Sequence, residues 1–173
     1  GVVIVCADCQ EQNVQELMSS DIPVVTIDYV HFACSAVCSN NAKCMNDLLE
    51  YIISMGHRRI AYIHGQEYSS VTRDRLAAFY RTLELHKIEI PAENVRSARY
   101  LEARDVIREM GLRIPQDISI AGYDGTRISQ MLRPKLTTIK QDTDKIGREA
   151  ARRLIGNIEN PKTAFVERVV VEG

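Results

Sequence analysis

Apolar side chains at Met45, Leu48, Leu49, Ile52 and Ile53 recur at the i, i+3, i+4, i+7, i+8 spacing that lines one face of a helix. Asn40-Asn41 just upstream supplies cap chemistry, and Gly56 stands where a helix end takes a left-handed residue. Almost without a loop, Ile60-Ala61-Tyr62-Ile63 follows, apolar on both faces and closed by His64-Gly65, as expected of a parallel strand covered by helices. The joint from Gly56 to Ile63 is therefore an α/β connection.

The same reading extends along the chain. Val2–Val5 is a strand, Glu11–Ser19 is polar and helix-compatible, and Ile22–Asp28 is a second strand, while residues 29–40 read as irregular. Ser70–His86 is helical, with Leu76, Phe79, Tyr80 and Leu83 on one side. Leu101–Met110 is a further helix stopped by Gly111, and Pro115 precedes the strand Ile118–Ala121. Leu136–Ile139 is a strand leading into a helix over Thr143–Ile155, and Ala164–Val171 is rich in β-branched residues. Strands alternating with helices predict an α/β fold with parallel sheets. Asn94–Leu101 breaks the alternation, because it passes from a loop-like segment into a helix where another helix and strand are due.

Charge and composition narrow the function. Lys and Arg number 22 against 23 Asp and Glu, so no basic excess is available for phosphate neutralisation, and nucleic-acid binding must come from outside this stretch. His57-Arg58-Arg59 and Arg152-Arg153 read as solvated helix ends and faces. No apolar run approaches the roughly 20 residues of a membrane span, and Gly1-Val2-Val3-Ile4-Val5 lacks the charged region of a signal peptide. The chain reads as cytoplasmic. Its five cysteines, an odd number, fit reduced thiols better than a disulfide framework. Cys6-x-x-Cys9 with Cys34-x-x-x-Cys38 has passable zinc spacing, but small packing residues are the preferred reading, and no metal or cofactor is assigned.

Ligands of open α/β sheets bind beyond the carboxyl ends of the strands. The polar residues there are Asp28, Tyr29 and His31 after one strand, His64 and the loop Glu67-Tyr68-Ser69-Ser70 after the next, and Tyr123 and Asp124 after a third. Asp28 is equally suited to accept backbone amides at its strand end. Gly122-Tyr123-Asp124-Gly125 is, on its own, ordinary turn chemistry. No phosphate loop, zinc-protease helix or Gly-x-Ser-x-Gly elbow occurs, which leaves no catalytic assignment. His57 lies on a helix-to-strand turn away from those strand ends, and its expected role is to cap helix carbonyls.

Three ordered stretches resemble one family. A helix ending in Gly56-His57-Arg58-Arg59-Ile60-Ala61, the turn Gly122-Tyr123-Asp124-Gly125, and Leu136-Thr137-Thr138-Ile139-Lys140-Gln141-Asp142 followed by Ile146-Gly147 are similar to the sensor domain of lactose-repressor-like (LacI/GalR) transcription regulators. The resemblance implies two Rossmann-like lobes of the periplasmic-binding-protein-like type I fold, with crossover strands joining them. Residues 1–40 and 141–165 form one lobe, and 41–140 with 166–173 the other. It also implies a chain that is incomplete, lacking strand-helix units before Gly1 and a segment near 95–101.

By the same resemblance Asp124 accepts hydrogen bonds from ligand hydroxyls. Arg75, in Arg75-Leu76-Ala77-Ala78-Phe79, matches a cleft-facing Arg, with Ala78 where the family usually has Gly. Its planar fork suits adjacent hydroxyls or a carboxylate. Tyr29 matches an aromatic that stacks on the ligand, His31 lies near a second polar contact, and Ser69 completes the candidate set. The implied function is effector sensing: a sugar or related metabolite binds between the lobes of a homodimer and modulates operator binding by an N-terminal helix-turn-helix. Two rivals remain, a transporter's periplasmic sugar-binding protein and a small α/β enzyme using Asp124 or His64 as an acid-base group.

Overall fold

The computed structural model describes residues 1–5, 11–97, 107, 109–162 and 164–172. In chain order the elements are β1 (Val2–Val5), α1 (Gln12–Met18), β2 (Val24–Ile27), β3 (Ser35–Ser39), α2 (Asn41–Ser54), β4 (Tyr62–His64), α3 (Ser70–Leu85), a 3-10 turn (Ala92–Asn94), β5 (Val95–Ser97), β6 (Ala121–Gly122), α4 (Arg127–Met131), β7 (Thr137–Thr138), α5 (Thr143–Glu159) and β8 (Arg168–Val171). They divide into two compact units, Gly1–Asn40 with Asp142–Gly173, and Asn41–Gln141. The expected helix over Leu101–Met110 lies largely outside the described residues, as do Cys6 and Cys9.

The first unit is built on one parallel sheet of order β1-β2-β3-β8. Strand periodicity sends alternate residues to opposite faces. Val3, Val25, Ile27, Val37, Val169 and Val171 pack with Ile146, Ala150 and Leu154 of α5, whose spacing of four keeps them on one stripe. Val2, Ile4 and Val24 pack on the other face with Val14, Leu17 and Met18 of α1. Val25 and Val37 are fully buried, each contributing about 1.5–3 kcal/mol of hydrophobic transfer.

Two expectations are corrected here. Residues 29–40 contain β3, an interior strand buried at every position. Ser-Ala-Val-Cys-Ser has a single β-branched residue and so a weak strand signature. It becomes a strand because β2 and β8 supply hydrogen-bonding partners on both sides, a context that overrides intrinsic preference. The segment 166–173, expected in the second lobe, instead provides β8, which pairs Val169 with Val37 and Val171 with Ser39 in the first unit. The chain therefore passes between units at two places, Asn40–Asn41 and Gln141–Asp142.

In the second unit α2 packs on α3 around Met45, Leu49, Ile53, Ala78, Phe79 and Leu83, flanked by Ile60, Tyr62, Ile88, Ile90 and Val95. Tyr80, expected on the buried side, is exposed, and Ala78 and Thr82 take that face with Phe79 and Leu83. Gly56 has φ +91° and forms a Schellman end to α2: its N–H donates to Ile53 O (3.0 Å) and that of His57 to Ile52 O (3.3 Å). The further cap comes from Arg58 and not from the His57 ring, because the Arg58 guanidinium donates to Ile53 O at 2.8 Å. Among the described residues the unit also holds two parallel strand pairs, β4 with β5 and β6 with β7. β5 falls where the chain reads as loop-like, its three residues being too few for a periodic signal.

Candidate functional site

Arg75 and Asp124, separated by 49 positions in the numbering, meet in the second unit. Asp124 sits in the turn after β6 with φ +80°, a left-handed conformation that Asp tolerates better than most residues, and Gly125 follows at φ +59°. The Gly125 N–H donates to Thr138 Oγ1 at 3.2 Å, tying the turn to β7. A Cβ on Gly125 would lie 2.7 Å from the Lys140 Cα, a backbone atom that cannot swing away. Gly125→Ala is therefore expected to cost about 1–3 kcal/mol through combined clash and left-handed strain, read as a lowered urea midpoint at unchanged slope.

The turn presents Asp124 with its side chain 48% exposed, and its Oδ1 accepts a 2.7 Å hydrogen bond from Gln141 Nε2. Arg75 projects from the second turn of α3 and is largely buried, with a side-chain exposure of 14%. Its Nε donates to Asn41 Oδ1 at 2.8 Å, and its guanidinium carbon lies 3.5 Å from the centroid of the Tyr123 ring. A cation over an aromatic face is attracted by the ring quadrupole, more strongly when water is excluded. Burial pushes the Tyr123 phenol well above its ordinary range, against the opposing pull of the Arg75 charge, so the ring carries a neutral hydroxyl. That hydroxyl lies 3.4 Å from Asn41 Oδ1.

A terminal nitrogen of Arg75 stands 3.9 Å from Asp124 Oδ1, too far for a hydrogen bond and near enough for electrostatic attraction. This pair offers guanidinium donors beside a carboxylate acceptor. A group that both accepts and donates hydrogen bonds, such as a hydroxyl or a pair of adjacent hydroxyls, matches it.

Ser69 is the N-cap residue of α3, with its hydroxyl not bonded to the helix amides and its carbonyl accepting from Arg73 N at 3.1 Å. Tyr29 and His31 belong to the first unit. The Tyr29 ring packs on the cluster of Ile4, Met18, Val24 and Cys34, and stacks with His31 at 6.4 Å. His31 Nδ1 accepts from Ala33 N at 3.2 Å. Asp28, at φ +57°, accepts from the Ser39 amide at 3.1 Å, which is the structural role open to it at a strand end. His64 is buried at the end of β4 and its Nδ1 bonds the Gly65 carbonyl at 2.7 Å. Cys34, Cys38 and Cys44 are buried free thiols, and burial raises the first two above the usual thiol range.

Asn41, Tyr123 and Gln141 complete the cluster, and of these only Tyr123 stands among the polar residues that the sequence places beyond a strand end. Asn41 reads as a helix cap and Gln141 as part of a strand-to-helix link. For Asn41 and Gln141 the distinguishing signal is their contact with Arg75 and Asp124 in the folded unit.

Residues 98–172 match the family described as periplasmic binding protein-like domain. The chain is 27% identical to the ribose operon repressor of Haemophilus influenzae over 95% of its own length, and 28% identical to the HTH-type transcriptional repressor PurR of Escherichia fergusonii over 94%. It spans 59% and 58% of those relatives, respectively. The alignment with the ribose operon repressor runs over 197 residues, longer than the 173 here, so that relative carries internal residues with no counterpart in this chain. Among solved structures, a transcriptional regulator CelR-cellobiose complex superposes with a TM-score of 0.86 over 99% of this chain and 63% of that one, at 23% identity. The fold is thus periplasmic-binding-protein-like, and the likeness to LacI/GalR regulators carried by three short motifs extends along nearly the whole chain.

Proposed function

We propose that this chain is the effector-sensing part of a LacI/GalR-type transcriptional regulator, and that it binds a sugar or related polyhydroxy metabolite through Arg75 and Asp124. The observation that carries the reading is the 3.9 Å juxtaposition of a guanidinium and a carboxylate, each held from behind by a buried amide. Relatives named as a ribose operon repressor and a structure determined with cellobiose support a saccharide as the class of ligand. Ser69 at the start of α3 and Tyr29 with His31 in the first unit are secondary candidates for ligand contact. In the whole protein a helix-turn-helix module preceding Gly1 contacts operator DNA, and the protein works as a cytoplasmic homodimer without catalytic activity. Among the described residues no helix is long and apolar enough to cross a membrane. Regulation follows from unequal effector affinity for two conformations, since equal affinity shifts no equilibrium.

Calorimetric titration of the chain with pentoses, hexoses and disaccharides is expected to yield one sugar class binding with a dissociation constant of about 1 μM to 1 mM. Recovery of that sugar chemically unchanged after long incubation separates sensing from the enzymatic rival. Absence of binding across the panel would sink the saccharide assignment, and turnover of the bound sugar would replace it with the enzyme.

A further inference from the structure

We infer that Asn41 and Gln141 are positioning residues that tie the two effector-facing side chains to the two places where the chain passes between its units. The inference rests on the reading of Arg75 and Asp124 as effector contacts, although the geometry behind it does not depend on which effector binds. The second unit begins at Asn41 and ends at Gln141. These boundary residues are the ones that hold the pair: Asn41 accepts from Arg75 Nε at 2.8 Å, and Gln141 donates to Asp124 Oδ1 at 2.7 Å. Neither bond joins sequence neighbours, the separations being 34 and 17 residues.

Both amides are buried, Asn41 at 2% and Gln141 at 9% exposure. A short hydrogen bond between a charged group and a buried amide fixes the two rotamers together. On the far side of each crossing the next residue is anchored in the first unit. Asn40 N donates to Val171 O at 3.0 Å and its side chain to Glu172 at 2.8 Å. Asp142 caps α5 by accepting from Lys145 N at 3.0 Å. Each crossing is thus one peptide link pinned on both sides, and the pin on the second-unit side is an effector residue's own hydrogen-bond partner. A ligand that pulls Asp124 or Arg75 loads Gln141 or Asn41 directly. By linkage, the backbone state at the crossings that suits bound ligand also raises affinity for it.

Hydrogen exchange read by mass spectrometry on the whole chain tests this, using peptides covering 39–44 and 139–145. Arg75→Met is expected to speed exchange roughly tenfold in the first peptide alone, and Asp124→Ala to do so in the second alone. Asn41→Asp keeps the oxygen acceptor and is expected to exchange like the wild type in the first peptide, whereas Asn41→Leu is expected to match Arg75→Met there. D-ribose or cellobiose, whichever binds, is expected to slow both peptides together. Wild-type rates in both peptides for Arg75→Met and Asp124→Ala would overturn the inference, as would uniform acceleration throughout the second unit, which marks general loosening. The expected variant pattern without binding of any sugar of the panel would leave the positioning role standing and remove the saccharide reading.

Discussion

Phe79→Ala is expected to destabilise the second unit by about 3–5 kcal/mol, the cost of removing a buried aromatic and leaving a void that its neighbours fill only in part. Phe79 is 1% exposed at the centre of the α2–α3 core, and its ring centroid lies 4.8 Å from that of Tyr62. Domains are stable by only about 5–15 kcal/mol, so this one change removes a large share of the margin. Leu85, at the end of the same helix, is 70% exposed, and Leu85→Ala is expected to stay within about 0.5 kcal/mol. Urea unfolding followed by circular dichroism distinguishes the two. A cost below about 1 kcal/mol for Phe79→Ala, against about 3–5 for burial of this kind, would mean that α3 does not pack on α2 through this face.

Arg75→Met is expected to weaken binding of the best sugar about 10- to 100-fold, because hydrogen bonds from a charged group contribute about 1.5–3 kcal/mol. Met keeps most of the apolar stem and removes the guanidinium, so the loss reports hydrogen bonding and charge, the cation–π contact with Tyr123 included. Asp124→Asn retains an acceptor oxygen and is expected to lose less. Isothermal titration of wild type and both variants with the same sugar provides the measurement. Unchanged affinity in both variants would place the ligand elsewhere.

Much of the second unit was legible in the chain itself. Met45, Leu48, Leu49, Ile52 and Ile53 mark α2, and all but Ile52 are buried in the fold, while Gly56 ends the helix in the left-handed conformation its position calls for. These signals act over three or four residues, where helix geometry alone determines which side chains share a face. Their limit shows at Tyr80, which the same periodicity places in the core and the structure leaves exposed. β3 marks the same limit in the first unit: its small side chains carry little local preference, and the strand exists because β2 and β8 lie against it.

The candidate site divides along the same line. Arg75 and Asp124 stand in motifs that resemble a known sensor family, each motif a local string of residues. That they stand 3.9 Å apart, that Tyr123 lies under the guanidinium, and that Asn41 and Gln141 hold them were decided by tertiary structure. The chain by itself determined where helices and most strands form and which residues carry recognisable chemistry, because those depend on local periodicity and turn stereochemistry. Only the folded units decided which polar groups became partners, since a buried amide takes whichever charged neighbour distant segments bring within hydrogen-bond reach.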